Sequence, residues 1–189
     1  MTGVSEIVKS LLNIHQFSEE QLDLFTDKLI FNSLKKKELL IKENQVSDGI
    51  SFILAGSFRV FKKLNNGELT IKFFVENNWM ADLESLLTQQ PSENYIEAIE
   101  DSEIASITLR DLHRLMDSHP CFRMLNALLS DLTIPTSYIA TISSKSPDER
   151  YKELLLKHPQ WINRFPQMLI ASYLGMTPET LSRVRARMK

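Results

Sequence analysis

The strongest constraint on this chain lies near its C-terminus, where Tyr173-Leu174-Gly175-Met176-Thr177-Pro178 interrupts two stretches of helical periodicity. Glycine closes a helix cheaply because it tolerates the left-handed backbone that a tight turn needs. Threonine followed by proline opens the next helix, the hydroxyl as N-cap and the proline at the first helical position. The spacing predicts helices over Asp148–His158, stopped before Pro159, over Pro166–Leu174, and from Pro178 onward. A short helix, a glycine turn and a second helix have the form of a helix-turn-helix.

Within the last helix, Leu181 and Val184 are three residues apart and face a core, with Met188 extending the stripe. Glu179, Thr180, Ser182, Arg183, Arg185 and Arg187 are left for the exposed surface. From Arg164 to Lys189 there are five basic side chains against Glu179 alone, while the whole chain carries a net charge of -2. Charge distribution matters more than its sum for nucleic-acid binding. The expectation is therefore an acidic body with a basic reading head. Glu179, Thr180 and Arg183 are candidates for the major groove, since arginine pairs bidentately with guanine and glutamate accepts from cytosine N4. Ser182, Arg185, Arg187 and Lys189 are candidates for phosphate contacts, which position a protein on DNA without reading sequence. An ordinary solvated helix, its arginines favouring the negative end of the helix dipole, is the alternative reading of the same residues.

Upstream the periodicity changes. Val4, Ile7, Val8, Leu11 and Leu12 form one helical stripe, and Ser18 to Gln21 reads as a capping box opening a second helix from Glu19 to about Leu29. After Phe31 come short strands: Leu39–Ile41, Ile50–Leu54, Phe58–Phe61, Leu69–Phe73, Tyr95–Ile99 and Glu103–Ile107. Asn65-Asn66-Gly67-Glu68 marks a hairpin turn. A short helix and loop are expected over Leu83–Asn94. Many short strands joined by tight turns predict an α+β chain with an antiparallel double-stranded β-helix, a jelly-roll barrel. Leu109 to Ile142 reads as mostly helical, with Pro120 starting a new turn or kinking it. It has more apolar surface than a small barrel needs; part of it is expected to form a symmetric helix pair across a dimer interface, the alternative being a connector helix buried on its own domain. Pro135 weakens an unbroken coiled coil. The polar run Ser143–Pro147 is the best boundary, so the expected domains are a barrel over 1–108, a connector and dimerisation helix over 109–142, and a reading head over 143–189.

Composition removes several classes. No apolar run approaches the roughly 20 residues that span a bilayer, and the first residues lack a secretory pattern, which gives a cytoplasmic protein as the expectation. Cys121 is alone, so it makes no intrachain disulfide or iron–sulfur cluster, and a buried thiol is expected. His113 and His119 lack the i,i+4 spacing of a metal pair, and no metal or cofactor is expected. There is no glycine-rich nucleotide loop and no nucleophile–histidine–acid grouping, so an enzyme is not expected. A small-molecule sensor acting through a protein partner, with the terminal helix as its docking surface, is the competing functional class.

The run from Pro166 to Arg185 resembles the helix-turn-helix of the Crp/Fnr family of transcriptional regulators, in the branch abundant in Bacteroidetes. Leu174-Gly175 falls on the family's turn, and Glu179 and Arg183 on its base-reading Glu and Arg. Ile53–Val60, centred on Gly56, resembles the family's strand–glycine–strand motif. The resemblance implies a cyclic-nucleotide-binding-like barrel, a long dimerisation helix and a winged helix-turn-helix, the wing lying around Trp161–Phe165. It also implies a homodimer on palindromic double-stranded DNA, with RNA polymerase as a further partner. One part is degenerate. Where cyclic-AMP-responsive members carry Gly-Glu followed by an arginine, this chain has Ala81-Asp82 and then Pro91–Ala98, with no Lys or Arg between Lys72 and Arg110. A cyclic phosphate would meet Glu76, Asp82, Glu84, Glu93 and Glu97 with no counter-charge. The family's use of cAMP or cGMP is therefore not expected, and a different small-molecule effector is left open.

Overall fold

The computed structural model describes residues 2–65, 67–128, 132, 142 and 144–188. The chain divides into two compact units, Met1–Val60 with Phe73–Thr133 and Phe61–Lys72 with Ile134–Lys189.

The first unit begins with two helices, α1 (Thr2–Leu12) and α2 (Glu19–Thr26). The capping box that opens α2 is formed: Gln21 N–H donates to Ser18 Oγ (3.3 Å) and Ser18 N–H to Gln21 Oε1 (2.9 Å). Among the described residues eight strands follow: β1 (Ile30–Leu34), β2 (Leu39–Ile41), β3 (Gly49–Ala55), β4 (Phe58–Leu64), β5 (Gly67–Phe74), β6 (Trp79–Met80), β7 (Tyr95–Ala98) and β8 (Ser102–Thr108). The short helix α3 (Leu83–Thr88) lies between β6 and β7, and α4 (Leu109–Ser118) follows β8.

These strands form two four-stranded sheets, ordered β1-β8-β3-β6 and β2-β7-β4-β5. This corrects the expected jelly-roll barrel. Each ladder ends within its own sheet, and among the described residues no strand bridges the two. Alternating apolar residues predict that a segment is a strand with two faces. They carry no signal for which distant segment it pairs with, as β1 does with β8 through Ile30 opposite Ser106.

In the first sheet Phe52 lies opposite Ala105 and Ile50 opposite Ile107. All four belong to a core that includes Ile7 and Leu11 of α1, Phe25 of α2 and Leu112 and Leu115 of α4. Burying each phenylalanine contributes roughly 1.5–3 kcal/mol. Phe25 meets Trp79 edge-on at 6.1 Å, and Phe17 stacks on Phe122 at 5.5 Å. Gly56, at φ 90°, occupies a conformation that excludes a side chain, since a Cβ there would lie 2.1 Å from Ser102 Oγ.

The mostly helical stretch expected over 109–142 breaks at Pro120, where a new turn or kink is expected. His119 is extended (φ −138°, ψ 102°) and Pro120 starts a 3-10 segment, Pro120–Ala127. Proline has no N–H to continue the ladder of α4. Residues 129–131 and 133–141 of the expected dimerisation stretch lie outside the described residues. Cys121 is half-buried rather than fully enclosed.

The second unit contains α5 (Pro147–Lys157), α6 (Trp161–Arg164), α7 (Gln167–Tyr173) and α8 (Pro178–Arg187), together with the tip of the β4–β5 hairpin. Its buried side chains include Tyr151, Leu154, Trp161, Phe165, Ile170, Ala171, Leu174, Leu181 and Val184, with Phe61, Thr70 and Ile71 from the hairpin. The wing expected around Trp161–Phe165 is absent: those residues form the one-turn helix α6. The Trp161 ring stacks on His158 at 3.9 Å and meets Tyr173 edge-on, so aromatic packing takes the residues that a hairpin would have extended.

Candidate nucleic-acid interface

The pairing of α7 and α8 begins with a glycine. Gly175 has φ +59°, and Met176 N–H donates back to Ala171 O (3.0 Å), closing the C-terminus of α7. Two residues later Thr177, extended at φ −78° and ψ 156°, caps α8 by accepting the Thr180 N–H at its hydroxyl (3.2 Å). Pro178 is the first helical residue, where its missing N–H costs nothing.

Leu181 and Val184 are buried, which leaves the rest of α8 turned outward. Glu179, Ser182, Arg183 and Arg187 are exposed; Thr180, Arg185 and Met188 are half-buried; Lys189 lies outside the described residues. Glu179, Ser182 and Arg183 line an open groove of about 520 Å³ together with Pro178 and Gln167. Gln167 stands at the start of α7 and has no helical periodicity of its own to mark it in the sequence. Glu179 is held below the usual carboxylate range, first by its own backbone N–H, then by the Thr177 hydroxyl, with Arg183 adding attraction. The groove therefore presents an ionised acceptor, a guanidinium fork, a hydroxyl and an amide. These are the group types that bond base edges and phosphates.

Arg187 is placed differently from Arg183. Its Nη2 donates to Asp148 Oδ1 (2.9 Å) and Oδ2 (2.8 Å), and Nε to Oδ1 (3.3 Å). Asp148 stands in the first turn of α5, whose start is fixed by a second capping box between Ser146 and Glu149. Arg150, two residues on, donates from Nη1 to the carbonyls of Leu174 and Gly175, the latter at 3.1 Å. No motif or helical spacing marks Asp148, Arg150 or Gln167 as a site residue in the sequence. The Ser-x-x-Glu spacing of Ser146–Glu149 was a legible start signal for α5, but nothing in the order of residues announces the reach of Arg150.

In the first unit, the position that resembles a cyclic-nucleotide cassette is closed on itself. Asp82 is 2% exposed and N-caps α3. Its Oδ1 accepts from Ser85 N–H (3.4 Å); its Oδ2 accepts from the Ser92 hydroxyl and from Asn94 Nδ2 (3.1 Å). Ser85 Oγ donates to Gln90 O (2.6 Å) and accepts from Ser47 N–H (3.0 Å). A carboxylate thus receives the donors of this corner. Arg59, 6% exposed, is tied to Glu97 at 2.9 Å. Among the described residues no group of three or more His, Cys, Asp or Glu side chains is placed to hold a metal, and no helix is long and apolar enough to cross a membrane.

Residues 31–119 match the family model of the cyclic nucleotide-binding domain. Among solved structures, FixK2 from Bradyrhizobium japonicum superposes with a TM-score of 0.68 at 18% identity, covering 85% of this chain and 84% of that one. The chain shares its fold with Crp/Fnr-type regulators. A CooA mutant from Carboxydothermus hydrogenoformans gives 0.67 at 18% identity over 95% and 82% of the two chains. A Crp/Fnr-family protein from Eubacterium rectale gives 0.63 at 20% identity over 93% and 87%. No curated protein matches the chain.

Proposed function

We propose that this protein is a sequence-specific, double-stranded-DNA-binding transcriptional regulator. The observation that carries this reading is the groove at the start of α8, where Glu179, Ser182 and Arg183 converge beside Gln167 on the face opposite Leu181 and Val184. Glu179 and Arg183 read base edges, with Thr180 beside them. Ser182, Arg185 and Lys189 contact phosphates. The protein acts as a homodimer, so that two copies of α8 meet half-sites about one helical turn apart on palindromic DNA. The fold shared with Crp/Fnr-type regulators supports this reading.

The body does not take cAMP or cGMP in the usual manner. Asp82 already accepts from Ser85, Ser92 and Asn94, the donors that an incoming phosphate would have to recruit. Its negative charge opposes a second anion in a poorly screened site.

Selection of bound fragments from a random duplex library tests the function. A recovered palindromic motif, bound with a strong dependence on salt, is the expected result; recovery of no preferred sequence would overturn it. Arg183→Ala should cost roughly 1–3 kcal/mol and relax preference at one base position, and an equal loss on random DNA contradicts base reading. Titrating cAMP into the complex should leave its affinity unchanged, and a tenfold shift would restore the cyclic-nucleotide reading.

A further inference from the structure

We propose that α5 is a brace setting the orientation of α8, with Asp148 and Arg150 as positioning residues, and that Arg187 is the arm by which α8 is held rather than a phosphate contact. The proposal rests on the DNA-binding reading of α8. Apolar contacts of Leu181 and Val184 hold that helix down, but burial is non-directional and leaves rotation and sliding weakly opposed. A guanidinium fork on a carboxylate fixes both distance and plane.

The two fasteners sit at opposite ends of α8. Arg187 is its last helical residue, and its fork closes on both oxygens of Asp148. Arg150 grips the carbonyls of Leu174 and Gly175 just ahead of Thr177. Ten residues of α-helix span about 15 Å, so residues two apart on α5 hold the recognition helix near both of its ends. The charges also suit the helices they join: Asp148 lies in the first turn of α5 and Arg187 in the last turn of α8, each complementing the local helix dipole. The grip of Arg150 is close, since a Cβ on residue 175 would lie 3.0 Å from its Nη1.

The two roles for Arg187 predict opposite signs for one substitution. If Arg187 is a phosphate contact, Asp148 competes with DNA for it, and Asp148→Asn tightens binding to specific and random duplexes alike. If the pair is a brace, Asp148→Asn loosens α8 and weakens binding to the selected duplex. We expect a three- to tenfold loss on that duplex for Asp148→Asn and for Arg187→Ala, no greater loss for the double substitution, and little change on random DNA. The slope of log affinity against log salt should stay as in the parent, whereas losing a phosphate contact lowers it by about one. Arg150→Met should likewise weaken specific binding without changing that slope.

Thermal unfolding without DNA gives an independent reading: the Asp148 and Arg187 substitutions should be non-additive. Tighter binding by Asp148→Asn, a slope reduced by one in Arg187→Ala, or additive thermal effects would overturn the brace. Loss of duplex binding by the parent itself would instead be the failure of the DNA-binding reading.

Discussion

Replacing Gly175 with alanine tests the turn on which the α7–α8 pairing depends. At φ +59° an L-residue costs roughly 1–2 kcal/mol. The new Cβ would also lie 2.4 Å from Ile142 Cγ2 and 3.0 Å from Arg150 Nη1. The isoleucine contact is the harder to relieve, because a β-branched side chain is stiff at χ1; overpacking of this kind costs about 1–3 kcal/mol. Restricting the unfolded chain returns roughly 0.4–1 kcal/mol. The net expectation is a loss of about 2–4 kcal/mol in the second unit. Urea unfolding followed by Trp161 fluorescence, in a Trp79→Phe background so that one indole reports, measures it. Ile142→Ala removes the obstructing methyl, so the double variant should be at least ~1 kcal/mol more stable than the two single losses added together. A Gly175→Ala loss below about 0.5 kcal/mol, or simple additivity with Ile142→Ala, would refute the steric reasoning.

Thr177→Ala should destabilise α8 by about 1 kcal/mol, with Thr177→Ser close to the parent in the same denaturant assay. Because Glu179 titrates below its ordinary value, its stabilising contribution is complete above the usual carboxylate range and is lost as pH falls through the lowered value. Carboxyl-carbon NMR should show the Glu179 pKa rising more in Thr177→Ala than in Arg183→Ala, since the hydroxyl is the larger cause; the reverse order would displace that assignment. Asp82→Ala leaves the Ser85 N–H and the Asn94 amide short of a buried acceptor, while the Ser92 hydroxyl keeps Asn94 O, for an expected loss of roughly 2–4 kcal/mol in equilibrium unfolding of the parent and variant. A loss under about 0.5 kcal/mol would mean that water enters this corner freely.

Features legible in the sequence were those governed by neighbours along the chain. Ser18 with Gln21, Thr177 with Pro178, and the left-handed Gly175 each follow from interactions spanning three or four residues, and the structure contains all of them. The pairing of strands within each sheet was not local. The pairings of β1 with β8 and of β3 with both β8 and β6 join segments whose alternation is equally compatible with other partners. The aromatic run around Trp161 reads equally well as a hairpin or a packed helical turn until His158 and Tyr173 are seen against its ring. At the candidate interface, helical spacing brought out the exposed Glu179, Ser182 and Arg183. It gave no hint that Arg187 would close on Asp148, 39 residues away.

The hydroxyl of Ser172 on α7 donates to Glu68 O (2.8 Å) and accepts the Thr70 N–H (2.9 Å), so the hairpin tip 61–72 is a built-in part of the unit that carries α8. These bonds join positions 104 and 102 residues apart. Contacts of such long range are slow to form because the loop between them must be closed first. The reading head is thus assembled from two separate stretches of chain. During synthesis the hairpin emerges well before α7, and a fragment of residues 134–189 alone would lack the hairpin to which Ser172 is anchored.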